Sequence, residues 1–371
     1  MNYHLLFDKK FAPLAIDLFD EYYPMQNIYF ASDRLITDLN NCGYSNVLVE
    51  RKKTLLSYIQ KGEEKNLFVH FLNHDHARLA LYIKKHCPDI RIFWVFFGGD
   101  MYLPLYYRYD YPLIDKANDT FIHDISRDVF FKQLYLFRNR FFGDYFKDFL
   151  DICNYFCFWD KYELELLNKF FNTKLVFKYF AYGGKQAHRH KVDEKVAKIP
   201  GLIWVNNSAS VTGNHLTILD KIQSIDKNKE CKVIVPLSYG APRVMREVKE
   251  YLEINFHGRY EVIDVFLEYN EYCKKLSHAS VAIFGQNRQE GAGNVFAFIK
   301  SGAKVFLRDR NNIGLCLKDL GCKSYSFERE MNKISDILEP LSKDVADNNK
   351  KAVESFEAPS FINEYMNNLL K

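Results

Sequence analysis

Arg288 sits in the stretch Phe284–Asn294, FGQNRQEGAGN, which follows the apolar run VAIF and carries Gly285, Gly291 and Gly293. A helical pattern starts at about Asn294 and a second apolar run, KVFL, comes after it. A glycine-rich turn lets backbone approach a ligand, and a helix start presents unpaired N–H groups and the positive end of a dipole to an anion. A guanidinium in the same turn pairs with phosphate oxygens. The spacing lacks the third glycine of a Gly-x-Gly-x-x-Gly dinucleotide fingerprint, so the expected ligand is a phosphate-bearing molecule of another kind. Two more small-residue loops follow strands in this half, VNNSASVTGNH (Val205–His215) and VPLSYGAPR (Val235–Arg243). They bring Ser208, Ser210, Thr212 and Ser238 to the same sheet edge, where hydroxyls either hydrogen-bond a phosphate or cap helices.

In the first half, RIFWVFF ends in Gly98-Gly99-Asp100, and NLFVHFL carries His70 ahead of Asn73, His74, Asp75 and His76. A carboxylate or imidazole at a strand end acts as general base towards a hydroxyl within hydrogen-bond reach. Asp100 is the first expectation for that base and His70 the second; a cap of the turn after Gly99 is the competing reading of Asp100. His74, Asp75 and His76 are contiguous and lack a distant fourth ligand, so no metal is expected. Eight cysteines are scattered singly, without a Cys-x-x-Cys pair, which reads as reduced thiols.

The elements that must hold these residues recur in alternation. YHLLF, NIYF, NVLV, NLFVHFL and RIFWVFF read as strands with helical text between some of them, and NYFCFW and LVFKYFAY extend the set. From LIWVNNS onward the alternation restarts for five strand-plus-helix units. This predicts two doubly wound α/β domains: residues 1–185, a polar linker at 186–200, residues 201–328, and a helical tail at 329–371. Ligands of open α/β sheets bind at strand C-terminal ends, so a cleft between facing domains is the expected site. Among 371 residues 26% are charged and 16% aromatic, with a net charge of +4. That composition argues against disorder and does not call for nucleic acid. The opening MNYHLLFDKK does not read as a signal peptide, and no run of eighteen apolar residues occurs. Tyr106, Tyr107, Arg108, Tyr109, Tyr135, Phe137, Arg138, Arg140 and Phe141 interleave rings and cations. That interleaving fits an anionic membrane surface as well as it fits core packing.

On these residues the chain resembles a known family. Phe93, Trp94, Gly98, Asp100 and Tyr102 match its Phe-Trp-x-x-x-Gly-x-Asp-x-Tyr pattern, and the run from VNNSASVTGNH to FGQNRQEGAGN is similar to its donor half. The family is glycosyltransferase family 56, the TDP-4-acetamido-4,6-dideoxygalactose (N-acetylfucosamine) transferases, also described as 4-alpha-L-fucosyltransferases. The resemblance implies a glycosyltransferase B fold and a cytoplasmic enzyme at the inner face of the membrane. It implies a nucleotide-sugar donor on the C-terminal domain and a lipid-linked or free saccharide acceptor on the N-terminal one. It carries Asn207, Ser208, Asn214, Pro236, Tyr239, Arg288, Gln289, Gly291 and Gly293 to the donor side, and Gly98, Asp100 and Tyr102, with Gly99 between them, to the acceptor side. Glu290 and Asn294 stand where the family has glutamine and threonine. No metal or other cofactor is needed where protein cations and dipoles stabilise the leaving diphosphate. A nucleotide-sugar 2-epimerase, in which Glu290 and His215 would matter more, and a non-catalytic sugar-nucleotide-binding protein are the alternatives.

Overall fold

The computed structural model describes residues 1–121, 125–182 and 196–371. They form two units, each built on one parallel sheet. The first unit comprises 1–110, 133–188 and 357–371, and the second 111–132 and 189–356. Residues 186–195 of the expected linker lie outside the described residues.

In the first unit the chain runs β1 (Asn2–Leu5), α1 (Ala12–Tyr22), β2 (Asn27–Ala31), α2 (Asp33–Asn41), β3 (Val47–Val49), α3 (Lys52–Lys61), β4 (Asn66–His70), α4 (His74–His86), β5 (Arg91–Val95) and α5 (Gly99–Tyr109). After α6 (Ile125–Phe142) come α7 (Tyr145–Ile152), β6 (Tyr155–Phe158), α8 (Lys161–Phe170) and β7 (Val176–Tyr179). The strands order as β3-β2-β1-β4-β5-β6-β7, all pairs parallel. Parallel strands covered on both faces read as unbroken apolar text rather than alternation, and β4 and β5 show it: every residue of β4 is buried, with Phe68, Phe93 and Trp94 fully so. The order reverses between β1 and β4. That is a topological switch point, where successive crossover helices leave to opposite faces and strand ends stay uncovered.

The second unit runs β8 (Ile199–Val205), α9 (His215–Ile225), β9 (Lys232–Pro236), α10 (Pro242–Asn255), β10 (Tyr260–Ile263), α11 (Tyr269–His278), β11 (Ala279–Phe284), α12 (Ala292–Lys300), β12 (Lys304–Leu307), α13 (Ile313–Asp319), β13 (Tyr325–Ser326), α14 (Ile334–Leu338) and α15 (Lys343–Phe356). Its order is β10-β9-β8-β11-β12-β13, again all parallel, with the reversal between β8 and β11.

Three details differ from the sequence expectation. The stretch expected as linker ends inside a strand, because Ile199 and Pro200 open β8. Residues 111–118 belong to the second unit, held by side-chain hydrogen bonds that no hydropathy pattern reports. Tyr111 donates to Asn287 O at 3.1 Å, Asn118 donates to Thr217 Oγ1 at 2.8 Å, and Arg308 grips the Asp115 carboxylate at 2.5 Å. The tail also divides. α15 stays with the second unit, where Phe296 stacks on Phe356 at 5.2 Å. A final helix, α16 (Pro359–Leu369), returns to the first and buries Ile362, Tyr365, Met366 and Leu369 in its core, with the Tyr365 hydroxyl donating to Ala181 O at 2.9 Å. That spacing of three, one and three is one face of a helix.

Because Met366 is fully buried against Phe19, Tyr29 and Leu18 in one apolar cluster, Met366→Ala is expected to cost about 2–5 kcal/mol by lost transfer and cavity formation. Thermal unfolding followed by circular dichroism checks this; an unchanged midpoint would show the last helix to be dispensable.

Candidate functional site

Both strand-order reversals collect polar residues. In the second unit the loops after β8 and β11 meet around Arg288. Its Nη2 lies 2.8 Å from Glu290 Oε2, which also accepts from Thr212 Oγ1 at 2.7 Å. Ser210 Oγ and Thr212 Oγ1 are 2.9 Å apart. The helix after this loop starts two residues before the expected Asn294. Gly291 is its N-cap in the left-handed region at φ 72°, and a Cβ there would come within 2.7 Å of Asn207 Oδ1. Glycine is therefore required twice over, by conformation and by close approach. Gly293 is exposed in the first turn of this helix, which begins shortly after Arg288 in the chain.

The remaining donor-side residues divide into those at this edge and those inside. Asn207 donates to the Tyr239 hydroxyl at 3.1 Å and accepts from Gln286 Nε2 at 3.4 Å. Tyr239 is exposed and lies parallel to exposed Phe266, with ring centroids 5.9 Å apart. Ser238 is half-buried beside it. Asn294 accepts from the Tyr272 hydroxyl at 2.7 Å, and the Gln289 carbonyl accepts from Arg288 Nη1 at 3.4 Å. Asn214, expected on the donor, is fully buried instead. Its amide donates to Gly285 O at 2.8 Å and Leu113 O at 3.1 Å, and its Oδ1 accepts from Asp115 N at 2.8 Å. An asparagine whose donors and acceptor are all spent internally joins three chain segments and leaves nothing for a ligand. Ser208 and Pro236 are buried too.

In the first unit the polar atoms of Asp100 and Tyr102 are engaged inside the fold, and His70 is buried beside them. Asp100 is 4% exposed and accepts four N–H groups: Leu72 at 3.3 Å, Trp94 Nε1 at 2.8 Å, Phe97 at 3.2 Å and Gly98 at 2.8 Å. Burial nonetheless outweighs these bonds and raises its carboxyl from 3.8 to about 6. With both oxygens engaged, Asp100 fixes the loops after β4 and β5 rather than awaiting a substrate hydroxyl. Gly98, at φ 108°, and Gly99 form the turn whose amide it holds. Tyr102 is buried with its hydroxyl on Glu163 Oε1 at 3.1 Å, so it does not line a surface. His70 is 2% exposed, and its Nδ1 is covered by the Tyr182 hydroxyl at 2.5 Å. His74, Asp75 and His76 form the first turn of α4, where the Asn73 side chain accepts from His76 N at 2.8 Å. His76 reaches Phe71 O at 2.9 Å and Glu50 Oε2 at 3.0 Å, whereas His74 lies beside Tyr145. Among the described residues no three His, Cys, Asp or Glu side chains gather as metal ligands, and none of the eight cysteines is in a disulfide.

A polar depression lined by Lys304, Tyr325, Arg329 and Asp336 lies at the β12–β13 edge. Lys304 opens β12, so it lies at the strand N-terminal ends of the second sheet, opposite the edge that carries the loops around Arg288.

Sequence reasoning missed Asp115, Arg308, Tyr182, His4 and Phe266. For Tyr182 a signal existed, since it stands three residues past the end of β7, at the sheet edge that carries ligands in such folds. For Asp115 and Arg308, 193 residues apart in the chain, none did.

Two parallel doubly wound sheets, each with polar loops at its strand-order reversal, make a glycosyltransferase B fold. Solved structures agree on that fold. A glycosyltransferase from Rickettsia africae ESF-5 aligns with TM-score 0.64 and 9% identity over 100% of this chain and 98% of its own. Anabaena Alr3699/HepE, solved with UDP and glucose, aligns at 0.60 and 10% over 100% and 98%. The trehalose 6-phosphate synthase of Burkholderia multivorans aligns at 0.58 and 9% over 100% and 98%. No curated protein matches the sequence. Residues 124–371 match the family described as 4-alpha-L-fucosyltransferase, glycosyl transferase group 56, and the chain belongs to it. It is a glycosyltransferase, an enzyme that moves a sugar from a nucleotide-sugar donor. The matched stretch holds Arg288 and its loops; Asp100, Tyr102 and His70 fall before it.

The geometry of Asp100 makes a distinctive expectation. In Asp100→Asn the new NH2 group faces N–H donors, stranding buried amides at a cost of about 1–3 kcal/mol. The thermal midpoint should therefore fall. The wild-type carboxyl is harder to ionise folded than unfolded, so its charge destabilises the fold progressively as pH rises from 3.8 to about 6. The variant should lose that part of the pH dependence, measured by melts from pH 4 to 7. An unaltered midpoint with strongly reduced turnover would return Asp100 to the role of base.

Proposed function

We propose that this enzyme transfers a deoxy or acetamido sugar, such as 4-acetamido-4,6-dideoxygalactose, from a TDP-linked donor to a saccharide carried on polyprenyl diphosphate, in the synthesis of a surface polysaccharide. The observation that carries the reading is Arg288 in the loop that leads into α12, at the reversal of the second sheet and inside the family-matched stretch. A diphosphate leaving group needs positive charge where its own negative charge grows, and a guanidinium with a helix N-terminus supplies it. The UDP and glucose in the Anabaena relative support a nucleotide sugar as ligand of the fold.

Glu290 pairs with Arg288. Donor binding then exchanges one anion for another: the diphosphate takes the guanidinium, and Glu290 is released towards the sugar. Tyr239 and Phe266 offer exposed rings for the nucleobase. Donor-side protein groups suffice for the leaving group, so no metal is required. Family membership favours transfer over 2-epimerisation, and intact Arg288 counts against a non-catalytic binder.

An acceptor on a lipid diphosphate places the enzyme at the inner face of the cytoplasmic membrane as a peripheral protein. No helix among the described residues is long and apolar enough to cross a bilayer. On α6, however, Leu134, Phe137 and Phe141 are exposed, with Arg138 and Arg140 between them, which suits contact with anionic lipid.

Arg288→Ala should weaken TDP binding by about 1.5–3 kcal/mol through loss of charged hydrogen bonds; calorimetry giving the wild-type affinity removes Arg288 from the site. Turnover of the TDP-linked sugar should persist in excess EDTA, and a loss reversed by adding a divalent ion overturns the metal-free mechanism.

A further inference from the structure

At the reversal of the first sheet four side chains form a line, its two imidazoles buried. The Tyr182 hydroxyl is 2.5 Å from His70 Nδ1, His70 Nε2 is 3.1 Å from His4 Nδ1, and His4 Nε2 is 3.4 Å from Asn27 Oδ1. The direction of the protons is determined. Asn27 Nδ2 points at Phe19 O, Tyr23 O and Asp20 Oδ1, which share its two hydrogens, and its oxygen, which also accepts from Asn2 Nδ2, is the atom facing His4. His4 therefore donates from Nε2 and accepts at Nδ1, His70 donates from Nε2, and His70 Nδ1 is left to accept from the Tyr182 O–H. His4 and His70 are buried, while Tyr182 is partly exposed.

The surroundings are built to hold this end of the line in place. Phe71, the residue after His70, sits at φ 72°, a region that costs a bulky residue free energy. Its carbonyl accepts from His76, and the next amide, Leu72, donates to Asp100. Strain clamped from both sides beside a strand-order reversal points to a site, since such strain persists where the surroundings over-determine it. Phe7, 42% exposed, stacks on Phe71 at 4.1 Å, and Phe11 and Phe97 pack against Tyr182. Exposed ring faces of this kind suit the apolar face of a sugar.

We propose that Tyr182 is the catalytic residue on the acceptor side, its phenol oxygen receiving the proton of the attacking saccharide hydroxyl while its own proton passes to His70 Nδ1. The proposal rests on the transferase reading above. In the balanced step the acceptor oxygen bonds to the anomeric carbon of the donor, and the bond from that carbon to the diphosphate breaks with its electron pair leaving on the diphosphate. The acceptor's proton goes to Tyr182, and Tyr182's proton to His70, which becomes imidazolium. Return of that proton through Tyr182 to solvent resets the enzyme.

Burial, with His4 and His76 nearby, keeps the His70 ring well below the usual imidazole range, so it is neutral and able to accept. Burial, with Asp8, Cys157 and Asp100 facing it, keeps the Tyr182 hydroxyl well above the usual phenol range, so it conducts a proton rather than holding a charge. A weak base suffices because the hydroxyl proton becomes strongly acidic only as its oxygen bonds to the anomeric carbon. His4 is a positioning residue that keeps Nδ1 of His70 unprotonated.

The test uses the full chain, TDP-4-acetamido-4,6-dideoxygalactose and a polyprenyl-diphosphate-linked saccharide. Tyr182→Phe should lower kcat about 10²- to 10⁴-fold at the TDP affinity and donor KM of the wild type, while its melt falls only modestly because one buried acceptor, His70 Nδ1, loses its partner. His70→Asn keeps an acceptor oxygen for Tyr182 but cannot take the proton, so it should fold normally and be as slow as Tyr182→Phe; a residue needed for structure alone would be rescued. In both variants the downfield proton resonance of the tyrosine–histidine hydrogen bond should vanish or shift, a readout that needs no acceptor. A Tyr182→Phe rate within about threefold of wild type, rescue by His70→Asn, or a product that retains the donor's anomeric configuration overturns the proposal. Absence of TDP binding in the wild type would overturn the donor reading instead, and the resonance then decides whether the relay exists.

Discussion

Parallel strands can be joined only by crossovers, and crossovers keep one hand. A sheet grown outward from its first strand in two directions must therefore send neighbouring helices to opposite faces at one place. Here that happens twice, between β1 and β4 and between β8 and β11. At each place the strand ends emerge without a helix over them, and the loops that follow are free to carry polar groups. The candidate chemistry among the described residues sits at these two openings: Arg288, Thr212 and Glu290 at one, Phe71, His70 and Tyr182 at the other.

The two openings solve the same physical problem differently. Polar groups withdrawn from water need partners. In the second unit the partners are mobile in principle, because Glu290 is a carboxylate resting on a guanidinium that a diphosphate can claim. In the first unit they are permanent. Asp100 gathers four N–H groups and His76 holds the Phe71 carbonyl, so the loops are rigid and one hydroxyl, that of Tyr182, is left at the end of a line of imidazoles. A site that exchanges anions and a site that moves a proton make different demands: the first needs a partner that can be displaced, and the second needs atoms held within hydrogen-bond distance.

Asp100 shows how one motif supports two readings. Its place after two glycines at a strand end suits a base, and its resemblance to a family pattern strengthens that suggestion. Yet the same position lets a carboxylate reach back to the amides of Phe97 and Gly98 and across to Trp94 and Leu72. Tyr102 and Asn214 repeat the lesson, each a polar residue in a promising place whose polar atoms are all turned inward.

The amino-acid sequence by itself determined the strands, their burial on both faces, the division into two doubly wound halves and the loop that carries Arg288. Unbroken apolar runs, glycine spacing and helical periodicity are local properties, and a local property survives being read along the chain. Tertiary structure alone decided which polar residues are spent and which remain. Asn214 lies beside Thr212 in the chain, but its amide is used up by Leu113 and Gly285. His70 and Tyr182, 112 residues apart, meet because the chain beyond β7 passes back over the sheet edge, past β6 and β5, to the end of β4. A hydrogen bond depends on distance and angle between atoms, and for residues remote in sequence only the folded chain sets either.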